Sequence, residues 1–107
     1  MTPTDDDDDG LRMVAAASRL AVFGEVDAAT ASRLGAALDE AATSGEPEVV
    51  LDCTGLAFID SSGLDVFVAF TRRHAARDVR LVLESPSASA RRVFEISGLD
   101  QVLTIRQ

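Results

Sequence analysis

Two hydrophobic periods alternate along the chain. Arg12-Met13-Val14-Ala15-Ala16-Ala17 is short and moderately apolar. Ser18-Arg19 can turn it into Leu20-Ala21-Val22-Phe23, so the pair predicts a β-hairpin whose second strand ends at Gly24. Asp27 then precedes Ala31, Leu34, Leu38 and Ala41, which recur at helical spacing. Asp is a good N-cap, and Ser44-Gly45 with Pro47 beyond is a stop. Val49-Val50-Leu51 is a compact β-branched run and reads as a buried strand, left through residues 52–55. Leu64, Phe67, Val68, Thr71 and Ala75 then share a helical face, so a second helix starts near Ser61 or Ser62. Residues 79–83 form another strand. Ser87 can cap a third helix carrying Ala90, Val93, Phe94 and Ser97, with Gly98 past its end and Leu99 closing that end hydrophobically. Residues 102–105 form a last short strand. The order is ββαβαβαβ. Strands alternating with helices predict an α/β fold, a mostly parallel sheet of four to five strands with flanking helices.

The length of 107 residues accommodates one domain, residues 11–107. Apolar residues make up 47% and charged residues 26%, as in ordinary globular chains. The charge is −8, from 18 acidic and 10 basic residues. Five of the acids form one run at residues 5–9. Setting those five aside leaves 13 acidic residues against the 10 arginines, a balance of −3. Such a run repels itself and buries nothing, so residues 1–10 are expected to be a disordered acidic tail. Every basic residue is Arg, and Trp and Tyr are absent. With neither excess positive charge nor base-stacking rings, a nucleic-acid partner is not expected. Cys53 and His74 are each the one residue of their type, so neither a disulfide within the chain nor a zinc set can form, and no metal or cofactor is expected. With no charged apolar leader and no apolar run near 18 residues, no membrane association is expected; a cytoplasmic location is the default.

No enzyme constellation emerges. Ser61, His74 and Asp60 make a triad on paper, but His74 lies three turns along the helix that Ser61 begins. At about 1.5 Å per residue that is roughly 20 Å, beyond any hydrogen bond. His74 reads instead as a helix C-terminal residue facing the dipole. The informative segment is Phe58-Ile59-Asp60-Ser61-Ser62-Gly63-Leu64. Two hydroxyls and a carboxylate sit where a loop feeds a helix. One reading is structural: Asp or Ser caps the helix and Gly63 permits close packing. The other is that a serine accepts a phosphoryl group, which the free N–H groups of a helix start tolerate.

That segment resembles the signature of STAS domains, in particular the bacterial anti-sigma factor antagonists. Val22-Phe23-Gly24-Glu25-Val26-Asp27 with Thr30-Ala31 and Leu34 is similar to the family's second strand and first helix. Val49-Val50-Leu51-Asp52 is similar to its central strand, and Phe94-Glu95-Ile96-Ser97-Gly98-Leu99 to its last helix and closing turn. The resemblance covers nearly all of residues 11–107 in the family's order. It implies a switch rather than an enzyme. The unphosphorylated antagonist binds an anti-sigma factor serine kinase, phosphorylation breaks the complex, and a PP2C-type phosphatase restores it. By position in the motif Ser61 is the acceptor. Asp60, Ser62, Gly63 and Leu64 surround it in the partner-binding surface, and Asp27 lies near it at the start of the first helix, where a plain N-cap is an equal reading. One position departs. After Gly63-Leu64 the antagonists commonly carry glycine, and here Asp65 stands. In the first helical turn its carboxylate suits the dipole and brings negative charge to the phosphate site and the partner surface. The alternative within the family is an accessory subunit of a transport ATPase or a stress-signalling complex, without a phosphoswitch. A monomer is the simplest state for a module presenting one face.

Overall fold

The computed structural model describes residues 10–107; the expected acidic tail, save Gly10, lies outside the described residues. Strands β1 (Leu11–Ala16), β2 (Arg19–Val26), β3 (Glu48–Ile59), β4 (Arg80–Glu84) and β5 (Thr104–Arg106) form one sheet in the order β1-β2-β3-β4-β5. The first pair is antiparallel and the others are parallel. Helices α1 (Ala31–Ala42), α2 (Ser61–His74) and α3 (Ala88–Ser97) occupy the three crossovers. The element order is ββαβαβαβ, as the pattern predicts.

Each parallel strand is added on the same side of its predecessor. Right-handed crossovers therefore place all three helices on one face. The core lies there. Val22, Leu51, Leu81 and Leu83 from the sheet meet Leu34 and Leu38 of α1, Phe67 and Phe70 of α2, and Phe94 of α3. Phe67 and Phe94 meet edge-on, 6.2 Å between ring centroids, which joins α2 to α3. Each such buried side chain contributes about 1.5–3 kcal/mol.

Several boundaries differ from those the pattern predicts. β3 does not end at Leu51 but runs twelve residues, through 52–55 to Ile59. Its register against β2 jumps twice, from Ala21↔Asp52 to Phe23↔Gly55 and from Gly24↔Leu56 to Glu25↔Phe58. Each jump inserts an extra β3 residue, a bulge that disrupts the inside–outside alternation. β2 likewise passes Gly24, which stays in the strand at φ +112°. A Cβ there would overlap the Gly10 carbonyl, whose oxygen accepts the Glu25 N–H. The first helix starts at Ala31 with Thr30, not Asp27, as its N-cap residue. The last strand is 104–106, because a 3-10 turn at Leu99–Gln101 and Val102 precede it.

His74 ends α2, at the dipole's negative end as expected, but it is more than a dipole contact. It is buried, its ring 4.3 Å from that of Phe70, and its Nε2 lies 2.9 Å from Asp39 Oδ1 of α1. An Arg77 guanidinium N–H points at Nδ1. Arginine can only donate, so Nδ1 accepts and Nε2 carries the proton given to Asp39.

Candidate phosphoacceptor site

The site forms where two parallel strands end together. Val26 of β2 is in register with Ile59 of β3, and the Asp60 N–H donates to the Val26 carbonyl at 3.1 Å. Asp27 and Asp60 are thus the next residues of adjacent strand ends. No loop intervenes before α2: Asp60 alone separates β3 from Ser61.

Asp60 is the N-cap of α2, its backbone extended at φ −114°, ψ −170°. Its Oδ1 accepts the Ser62 N–H at 2.8 Å, and its carbonyl accepts from the Gly63 and Leu64 N–H groups. Asp60 is therefore committed to holding the helix start. Asp27 is committed too, though to the turn before α1 rather than to the helix. Its Oδ1 accepts the Ala29 N–H at 3.0 Å and the Thr30 hydroxyl at 3.3 Å. Thr30 is fully buried, and its Oγ1 also accepts the Asp27 N–H and reaches the Glu25 carbonyl. This cluster fixes the strand end beside the α2 N-terminus.

Gly63 sets the depth at which α2 sits. A Cβ on it would lie 2.6–2.7 Å from Ile59 Cγ1 and Cδ1 and Val26 Cγ1. The helix start therefore rests directly on the two strand ends. Ser61 is the first residue of α2 and is exposed. Among the described residues its hydroxyl has no hydrogen-bond partner. Ser62 is half-buried, as is Leu64. The serine that resemblance assigns as acceptor is thus also the one presented to solvent, at the positive end of a helix dipole that favours an anion. Asp65 is exposed as well, but the fifth residue of α2 lies beyond the first turn, where the sequence reading placed it.

The structure adds Phe58, which the sequence reading left out of the site. It precedes Ile59 at the second bulge and stands 51% exposed. With Ala57, Ile59, Ser89, Ala90 and Val93 it lines a pocket of about 110 Å³, too small for a nucleotide. A phenylalanine in a strand pattern reads as core, and only the bulge turns it outward. Cys53 is buried in β3, its thiol pushed up to about 12 by burial, so it is no nucleophile. Among the described residues no helix is long and apolar enough to cross a membrane, and no three His, Cys, Asp or Glu side chains group as metal ligands.

A five-stranded, mostly parallel sheet with all helices on one face and an exposed serine opening α2 defines the class. The STAS family profile, described as "Mlab, STAS domain", matches residues 10–105, and the chain belongs to the STAS domain family. The anti-sigma-B factor antagonist of Listeria monocytogenes is 35% identical over 85 residues, 79% of this chain and 75% of that protein. The anti-sigma F factor antagonist of Lysinibacillus sphaericus is 33% identical, covering 73% of this chain and 68% of that one. The Bacillus cell fate determinant SpoIIAA, solved in its phosphorylated form, superposes with a TM-score of 0.62 at 25% identity, covering 91% of each chain.

Proposed function

We infer that this chain is an anti-sigma factor antagonist whose state is set at Ser61. Its partner is an anti-sigma factor serine kinase, and a PP2C-type phosphatase reverses the modification. The observation that carries the reading is the contrast between the two serines. Ser61 is exposed with an unengaged hydroxyl, whereas Ser62 is half-buried behind a backbone N–H held by Asp60. The names of the relatives and the phosphorylated form of SpoIIAA support it.

Ser61 Oγ attacks the γ-phosphorus of ATP bound to the kinase. The bond from that phosphorus to the ADP oxygen breaks, and the hydroxyl proton leaves to a base on the kinase. Hydrolysis of the phosphoserine returns the hydroxyl and inorganic phosphate. The phosphoryl group adds about −1.5 to −2 charges beside Asp60 and Asp65. A partner surface shaped for a neutral hydroxyl then meets a cluster of like charge. Losing 3 kcal/mol of binding is more than a hundredfold in affinity, enough to exchange partners.

The test is incubation with ATP and the anti-sigma factor kinase, read by intact mass and peptide mapping. One phosphate is expected on Ser61, none on Ser61→Ala, and a normal yield on Ser62→Ala. Ser61→Ala is expected to bind the kinase, and Ser61→Asp to bind at least a hundredfold more weakly while staying folded. A phosphate mapped to Ser62, or equal binding of Ser61→Asp and wild type, overturns the reading. Stable assembly with a transport ATPase and no mass shift supports the accessory-subunit alternative instead.

A further inference from the structure

The carboxylates around Ser61 are not equivalent. Asp27 and Asp60 are both spent on backbone N–H groups of their own turns. Glu25 lies two residues before Asp27 in β2, and α3 brings Ser87 and Ser89 at its own start, with Arg91 and Arg92 further along. Asp65 differs from Asp27 and Asp60. It is exposed and, among the described residues, forms neither a hydrogen bond nor an ion pair. It stands four residues after Ser61 in a continuous helix, and residues so spaced are neighbours on one side, about 5–6 Å apart at Cβ. The unpaired carboxylate and the unengaged hydroxyl therefore share one strip of α2.

We propose that Asp65 sets the energy of the phosphorylated state. The inference rests on Ser61 being the phosphoacceptor. Two influences of opposite sign meet the phosphate. The dipole of the α2 N-terminus favours the dianion, although Asp60 already holds the Ser62, Gly63 and Leu64 N–H groups, and Asp65 opposes it from one turn away. The capping carboxylate of Asp60 is partly offset by the N–H it holds, whereas that of Asp65 has no hydrogen-bond or ion-pair partner among the described residues. Asp65 thereby makes the doubly ionised phosphate at the helix start less favourable, by the amount one nearby charge supplies. Replacing it by an uncharged residue deepens the phosphorylated state.

The test needs no kinase. Phosphoserine is installed at position 61 during synthesis, and its second ionisation is followed by 31P NMR against pH. Two unit charges about 6 Å apart in water shift an ionisation by roughly half a pH unit. The phosphate of Asp65→Asn is expected to ionise about 0.3–0.5 pH units lower than that of wild type, a difference that shrinks at about 1 M salt. Asp65→Glu, which keeps the charge, is expected to titrate close to wild type. Asp100→Asn is the control for net charge, since Asp100 lies in the turn after α3, at the opposite end of the sheet. A merely structural role for Asp65 would not separate Asn from Glu. The proposal is overturned if Asp65→Asn titrates with wild type, or if Asp100→Asn moves the ionisation equally. Failure of the kinase to modify Ser61 would sink the proposed function and leave this titration readable.

Discussion

At Gly63 the seat of α2 is set by a missing methyl group. Val26 and Ile59 occupy the space a side chain would need, and both are short branched residues within the core. They cannot swing aside as the end of a lysine could. Gly63→Ala therefore has to lift the start of α2 off the strand ends. Overpacking of this kind costs about 1–3 kcal/mol. The expected outcome is an unfolding free energy, from urea denaturation, lowered by that amount, with slower modification of Ser61 by the kinase. The helix propensity of alanine works the other way, by about 1 kcal/mol. A Gly63→Ala protein as stable as wild type would show that the strand ends yield, and that the seat of α2 is softer than its geometry implies.

Helices α1 and α2 are fastened to each other far from that seat. Asp39 of α1 accepts from His74 and, at 3.1 Å, from Arg73, both at the end of α2. Burial raises the Asp39 carboxyl, but the bonds from His74 and Arg73 outweigh it and hold the group below its usual range. Asp39→Ala would leave the buried Nε2–H of His74 without an acceptor. An unsatisfied buried donor costs about 1–3 kcal/mol, so urea denaturation is expected to show a loss in that range. Phosphorylation of Ser61, at the opposite end of α2, should continue at the wild-type rate. Nothing in the sequence pairs Asp39 with His74, thirty-five positions on. A lone histidine at a helix end reads as a dipole contact, and only the crossing of α1 on α2 supplies the partner. The same distinction separates what was legible from what was not. Helices and buried strands follow local periods, so their order could be read directly. The second half of β3 could not be, because two bulges break the alternation and Asp52, Thr54 and Gly55 resemble an exit. Phe58 was lost with it. Ser61, Asp60 and Gly63 stand together in the chain, and their site was readable as one motif. Asp27 was readable as its neighbour only through resemblance, since the register of β2 on β3 brings it there.

With every helix on one face, the other side of the sheet has no covering layer among the described residues, although parallel sheets are commonly covered on both sides. Val50 and Val82 lie on that open face yet are 7% and 0% exposed. Long side chains arch over them. Arg19 of β2 reaches Glu84 of β4 across Val50's strand, and Arg106 of β5 reaches Glu48 of β3 across Val82's. Arg80 also binds Glu48, and Arg106 stands 3.9 Å from Glu84. The chain Arg19–Glu84–Arg106–Glu48–Arg80 thus roofs the apolar centre with alternating charge. Hydrogen bonds from Arg80, then Arg106, hold the Glu48 carboxyl below its usual range, and bonds from Thr54 do the same for Asp52. A carboxyl lowered on folding contributes stability that is fully present above its unfolded value, about 4. That contribution is lost as pH falls through the folded value. The roof and the Asp39 clasp are therefore expected to weaken together in acid. Urea midpoints should fall from about pH 4 downward. Glu48→Gln removes one of these carboxyls and leaves two exposed arginines that water can solvate. It should lose a little stability at pH 7 and show a shallower acid decline than wild type. Midpoints at pH 3 equal to those at pH 7, or a Glu48→Gln protein with the full wild-type decline, would mean that the roof lies over the sheet without helping to hold it.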